Sequence, residues 1–163
     1  MSKDSAGEPA GRAAAAADHR DFVSVTIAEQ VFGIPVLQVQ DVLGSQRITR
    51  IPLAPAEVAG SLNLRGRIVT AIDVRIRLGL PARPPGRQAM SVVVDHGGEL
   101  YSLLVDSVGE VLSLGAGDAE RNPATLDPIW REVSAGIYRL DGNLLVVLDV
   151  AKVLDFSARA AAA

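Results

Sequence analysis

The side chains that most often do chemistry are scarce here and poorly grouped. Cysteine is absent, which removes thiolate nucleophiles, thiolate metal ligands, disulfides and thiol redox chemistry. Histidine occurs only twice. His19 falls in a stretch read as an N-terminal tail, and His96 stands in the turn signal His96-Gly97-Gly98, so neither is a candidate for a triad or a general base. A histidine metal cluster has too few ligands. No Gly-x-Ser-x-Gly elbow, Walker loop or dinucleotide fingerprint is present. Gly115-Ala116-Gly117-Asp118 resembles a phosphate loop only superficially, because no third glycine follows at the required spacing. It reads as the start of a long loop running to Pro128. No catalytic residue, cofactor or metal is expected.

What remains is the chemistry of charge pairing. The 163 residues carry a formal charge of −3, unevenly distributed. Residues 45–90 hold eight arginines against Glu57 and Asp73, whereas the segments on either side are net acidic. A basic middle between acidic flanks is either surface drift or a docking face for an acidic partner. It is also the one feature that suits nucleic acid, but aromatics make up 4% of the chain and none alternate with these arginines. Arg65 stands in Asn63-Leu64-Arg65-Gly66 with Asp41 as a possible partner. Losing that pair costs on the order of 3–5 kcal/mol if it is buried and about 1 or less if exposed. Trp130, the only tryptophan, is read as a loop anchor or an interface contact.

These groups must be positioned by short strands. Phe22–Ala28 alternates apolar and polar residues, the mark of a half-buried strand. Val31–Pro35, Arg67–Asp73, Met90–Asp95, Glu99–Asp106, Val108–Leu114, Gly136–Leu140 and Asn143–Asp149 read the same way, separated by Arg65-Gly66, His96-Gly97-Gly98 and Asp141-Gly142 turns. Short strands at this spacing predict small barrels. The alanine-rich ends, 1–21 and 157–163, are expected to be disordered tails, leaving 22–156 to fold. The longest strongly apolar run, Leu144–Leu148, is far too short to span a membrane, and the acidic N-terminus does not read as a signal peptide. A cytoplasmic protein is expected.

The chain repeats itself. Residues 60–78 align without gaps on 136–154, and 32–43 align on 101–112, in the same order in each half. The repeats predict two small barrels, about 22–88 and 89–156, sharing a buried interface with strand exchange possible and Pro81–Gln88 as connector. Asp73 and Asp149 each close an apolar strand ahead of an apolar pair at i, i+4, which predicts a helix cap in both halves. Gly66 and Gly142 are turn glycines by the same logic. Differences between the halves point to function: Asp141 stands where the first half has Arg65, and Glu110 where it has Asp41.

Five blocks then carry a resemblance: Phe32–Asp41 (FGIPVLQVQD), Arg47–Pro52, Gly60–Val69 (GSLNLRGRIV), Leu104–Leu112 and Leu144–Asp149. Together they resemble the CheW family, adaptors of bacterial chemotaxis arrays. The resemblance implies an all-β fold of two side-by-side five-stranded SH3-like barrels with short helices. It implies no enzymatic activity and a scaffold that couples the cytoplasmic tips of methyl-accepting chemotaxis receptors to the regulatory domain of the histidine kinase CheA. Association with the membrane would be indirect, through those receptors. Asp41 and Arg65 match positions that matter for receptor coupling; the acid is usually Glu, so Asp41 is one methylene shorter. Val36, Val39 and Gly60 fall on the same receptor-side surface by motif match. Val105 and Val108 are the repeat counterparts of Val36 and Val39, and the four valines either line a groove for a helical receptor tip or belong to the barrel core. An adaptor of a pilus-motility or regulatory array, and more remotely a nucleic-acid-binding barrel, are the alternatives.

Overall fold

A computed structural model describes residues 19–156. The tail assignments for 1–18 and 157–163 lie outside the described residues. Residues 19–21 are strand rather than tail, because His19, Arg20 and Asp21 pair with Gly115, Leu114 and Ser113. Backbone pairing needs no apolar side chain, so composition does not reveal it.

Ten strands are present among the described residues: β1 (His19–Ile27), β2 (Gln30–Pro35), β3 (Val39–Leu43), β4 (Val58–Leu64), β5 (Arg67–Asp73), β6 (Met90–His96), β7 (Glu99–Val105), β8 (Ser107–Gly115), β9 (Ser134–Leu140) and β10 (Asn143–Leu148). Three short helices follow strands or loops: α1 (Val74–Arg77), α2 (Pro128–Val133) and α3 (Val150–Val153). The strands form two five-stranded sheets, ordered β8-β1-β2-β10-β9 and β3-β6-β7-β5-β4. This is the expected all-β pair of SH3-like barrels.

Exchanging the first five strands for the last five, one for one, converts either sheet order into the other. The duplication seen in the sequence is therefore a structural one. The sheets are not, however, the two halves of the chain. Each takes two strands from one half and three from the other, joined by the parallel pairs β2–β10 and β5–β7. The chain passes between sheets at Val36–Gln38, a 3-10 turn from β2 to β3, and at Asp106, from β7 to β8. Pro81–Gln88 joins α1 to β6 beside the second sheet rather than linking the barrels.

Strand exchange explains where the core sits. The two barrel interiors are small, one built around Leu62, Val69, Val93 and Leu104, the other around Phe22, Tyr138, Leu145 and Val147. The larger apolar cluster lies between the sheets and joins Val23, Val25 and Ile27 of β1 to Ile72, Val92, Val94 and Leu103 of the other sheet. Neither barrel can keep that face dry alone, so the two fold as one unit.

Both predicted caps form. Asp73 accepts a hydrogen bond from the Arg75 backbone N–H at 3.0 Å, and Asp149 one from Lys152 N–H at 3.3 Å. The segment read as a long loop contains α2, whose start is written as Asp127-Pro128: Asp127 accepts from Ile129 N–H and proline sits in the first turn. Trp130 lies on this helix as an anchor, its indole N–H donating to the Leu78 carbonyl at 3.1 Å and its ring edge-on to Phe32.

Candidate functional site

The β4–β5 hairpin presents Arg65. Its two-residue turn has φ of +52° at Arg65 and +85° at Gly66, the primed geometry that follows strand twist. Gly66 adopts it freely, whereas an arginine there costs about 1–2 kcal/mol. Asn63 supports the turn, its Oδ1 accepting the Gly66 N–H at 2.9 Å. The motif Asn-Leu-Arg-Gly is thus a turn whose asparagine and glycine hold the arginine at the tip.

The structure brings Arg65 and Asp41 together. A register shift in β3 between Val39 and Asp41 turns the shorter acid toward the hairpin. Arg65 Nη2 donates to Asp41 Oδ2 at 3.2 Å, across a hollow of about 160 Å³ at the barrel mouth. Arg65 is 78% exposed and Asp41 29%, so the pair contributes under about 1 kcal/mol to folding. Its repeat counterparts, Glu110 and Asp141, are both acidic and cannot pair in this way.

The valines are placed otherwise. Val105 is fully buried in the central cluster, and Val36, Val39 and Val108 are half-buried against it. All four flank the two crossings between sheets. Of the two readings left open, core packing holds for Val105, which is not available to a partner. Gly60 is also a correction to the surface reading. It is buried at φ +149°, and a Cβ there would overlap the Thr49 carbonyl oxygen. Its repeat counterpart Gly136 has φ +137° and the Glu120 carbonyl oxygen 3.0 Å from the same position. Both glycines let a short bridge strand close its barrel at Thr49–Ser61 and Glu120–Ile137.

Besides the exposed Arg65, three of the eight arginines in the basic middle are engaged internally with little exposure. Arg75 makes a bidentate contact with Asp106, at 3.0 Å from Nε and 2.7 Å from Nη2. Arg83 donates to the same carboxylate at 3.1 and 3.2 Å, and Ala28 N–H at 2.8 Å. Arg77, 2% exposed, donates to the carbonyls of Val153 and Lys152 at the end of α3. This withdraws them from any stripe that could track phosphates. Asp106 was missed as a key residue, although comparing the halves marks it as well as Arg65: its repeat counterpart is the exposed Leu37.

The pattern described as the CheW-like domain matches residues 21–158. The chain belongs to the CheW family. It is 27% identical over 143 residues to the chemotaxis protein CheW of Rhizobium meliloti, covering 88% of this chain and 92% of that protein. With the CheW of Klebsiella aerogenes it shares 30% identity over 135 residues, 83% of this chain and 81% of that one. The crystal structure of the scaffolding protein TtCheW from Thermoanaerobacter tengcongensis superimposes with a TM-score of 0.75 at 27% identity, covering 83% of this chain and 92% of that chain. PilI of Pseudomonas aeruginosa is 34% identical over 77 residues, 47% of this chain and 43% of PilI. Membership makes this a chemotaxis-type scaffold of a non-enzymatic adaptor family. Among the described residues no helix is long and apolar enough to cross a membrane.

Proposed function

We propose that this CheW-family chain is a non-enzymatic scaffold that couples chemoreceptor cytoplasmic tips to the regulatory domain of CheA. Membership of the family supports this reading, and the observation that carries the site is Arg65, held at φ +52° on a hairpin tip where it contributes little to stability. A strained, exposed arginine that the fold does not need is a residue kept for a partner. Asp41 orients it. Val36, Val39 and Val108 shape the adjoining surface only through their exposed parts. The scaffold works in the cytoplasm and meets the membrane only through its receptors.

The test is co-sedimentation with a receptor cytoplasmic fragment and CheA. Arg65→Ala is expected to weaken receptor association about tenfold, with a thermal midpoint within about 3 °C of wild type. Unchanged association would remove Arg65 from the site. The similarity to PilI supports a second reading, the same kind of adaptor in a pilus-motility or regulatory array. Binding to receptors of one array and not the other separates the two.

A further inference from the structure

Three short helices meet where the two sheets pack, and one buried charge joins them. α1 follows β5 of one sheet, whereas α2 and α3 flank β9 and β10 of the other. Arg77, at the end of α1, is 2% exposed. Its Nε donates to the Val153 carbonyl and its Nη2 to the Lys152 carbonyl, both at 2.9 Å, and its Nη1 lies 3.9 Å from Glu132 Oε1. A guanidinium carried by one sheet thus holds α3, and faces α2, on the other. Trp130 of α2 reaches the opposite way, to the Leu78 carbonyl. Gly79 permits that approach, since a Cβ there would meet Ile129 Cδ1 at 2.9 Å.

The repeat shows what is special about this place. Residues 60–78 align on 136–154, so the counterpart of Arg77 is Val153, whose carbonyl it holds. A residue that touches its own counterpart stands beside the axis relating the two copies. Val153 is fully buried, and a strict repeat would put a second valine opposite it. Apart from Phe32, the buried cluster between the sheets is valine, isoleucine and leucine. Attraction among such side chains is non-directional and tolerates sliding. The donors of a planar guanidinium do not, because their geometry is fixed. A buried guanidinium is also a poor source of stability, since its desolvation offsets much of the attraction. What it supplies at this axis is one relative orientation.

We propose that Arg77 is a positioning residue: it fixes the angle between the barrels, and with it the relative placement of receptor and kinase on the scaffold, without touching either partner. The proposal rests on the adaptor reading above and deepens it. Arg77→Met keeps an extended side chain and removes the donors. It is expected to lower the midpoint of thermal unfolding by about 3–10 °C. Affinities for a receptor cytoplasmic fragment and for the CheA regulatory domain, each measured alone, should stay within about twofold of wild type. Receptor control of CheA activity in the assembly of all three proteins should fall about fivefold or more. The chain has no cysteine, so Ser45→Cys with Ser113→Cys carries two spin labels at defined places, one just past β3 and one on β8, both exposed. The distance between the labels should be narrowly distributed with Arg77 in place and broad in Arg77→Met. Arg77→Lys, which keeps the charge but not the fork, serves if methionine is not tolerated and should broaden the distances in the same sense. Gly136→Ala lowers stability away from the helices and should keep wild-type control of CheA; an equal loss there would mean that Arg77 supplies stability only, and would overturn the proposal. Unchanged control of CheA, or unchanged label distances, in a folded Arg77 variant also overturns it while leaving the adaptor reading standing. If the wild-type chain binds neither partner, the adaptor reading fails, and the label distances still decide whether Arg77 sets the angle.

Discussion

Replacing Asp106 with asparagine is expected to destabilise the chain by about 3 kcal/mol at neutral pH, lowering the midpoint of thermal unfolding by about 6–12 °C. The carboxylate stands at the second crossing between the sheets and holds Arg75 and Arg83, each only 12% exposed, while remaining 22% exposed itself. Asparagine keeps the size and removes the charge, leaving two poorly solvated guanidinium groups without a counter-ion. The hydrogen bonds from Arg75, and to a lesser extent those from Ala28 and Arg83, hold the Asp106 carboxyl well below its ordinary value of 3.8, against the opposing effect of burial. A depressed folded-state pKa contributes stability that is fully present above the unfolded value and is lost as pH falls below it. The wild-type chain should therefore lose this contribution below about pH 4, and the Asp106→Asn variant should not. Urea unfolding of both proteins at pH 7 and at pH 3 checks the point: the gap between them should narrow on acidification, and a constant gap would mean that the carboxylate charge is not what stabilises the crossing.

The second large effect is expected at Gly60. Alanine there is destabilising by about 3 kcal/mol or more, from a backbone conformation that side chains rarely adopt and from a Cβ that would overlap the Thr49 carbonyl oxygen, with Ile48 Cγ2 2.8 Å away. Backbone is on the other side of this contact, so relief requires moving the bridge strand that closes the barrel. Gly136→Ala should cost less, because its nearest neighbour is 3.0 Å away. Thermal melts of the two variants give the order directly. Any loss of receptor or kinase binding in Gly60→Ala should track the unfolded fraction, unlike the loss in Arg65→Ala, which should appear in a fully folded protein. Equal midpoints for Gly60→Ala and wild type would mean that the close approach to Thr49 does not constrain the barrel.

These two residues show where reading the chain alone runs short. Gly60 is identical to Gly136 in the repeat, which already favours a role in the fold over one in a partner contact. Asp106 differs from its counterpart Leu37, which favours a special role, but nothing near it in sequence indicates that its cations come from Arg75 and Arg83, the nearer of them 23 residues away. The strands that escaped detection, β3 and β4, both contain register shifts, at Val39/Asp41 and Val58/Gly60. A shift weakens the alternation of period two without by itself hiding a strand, since β8 carries one between Val108 and Val111 and is still legible.

What the sequence determines by itself is what local rules encode. Alternation placed eight of the strands to within a few residues, turn glycines placed the hairpins, Asp73 and Asp149 placed two caps, and the repeat implied two copies of one design. The motif blocks carried the family. Tertiary structure alone decided which faces are dry. Because the halves exchange strands, β2 lies against β10 and β5 against β7, and apolar residues from both halves meet between the sheets. That buried Val105, left Val36, Val39 and Val108 half-covered, drew three arginines of the basic middle into poorly exposed internal contacts, and left Arg65 exposed at a hairpin tip. Burial depends on which remote strand covers a face, and no short window of sequence contains that neighbour.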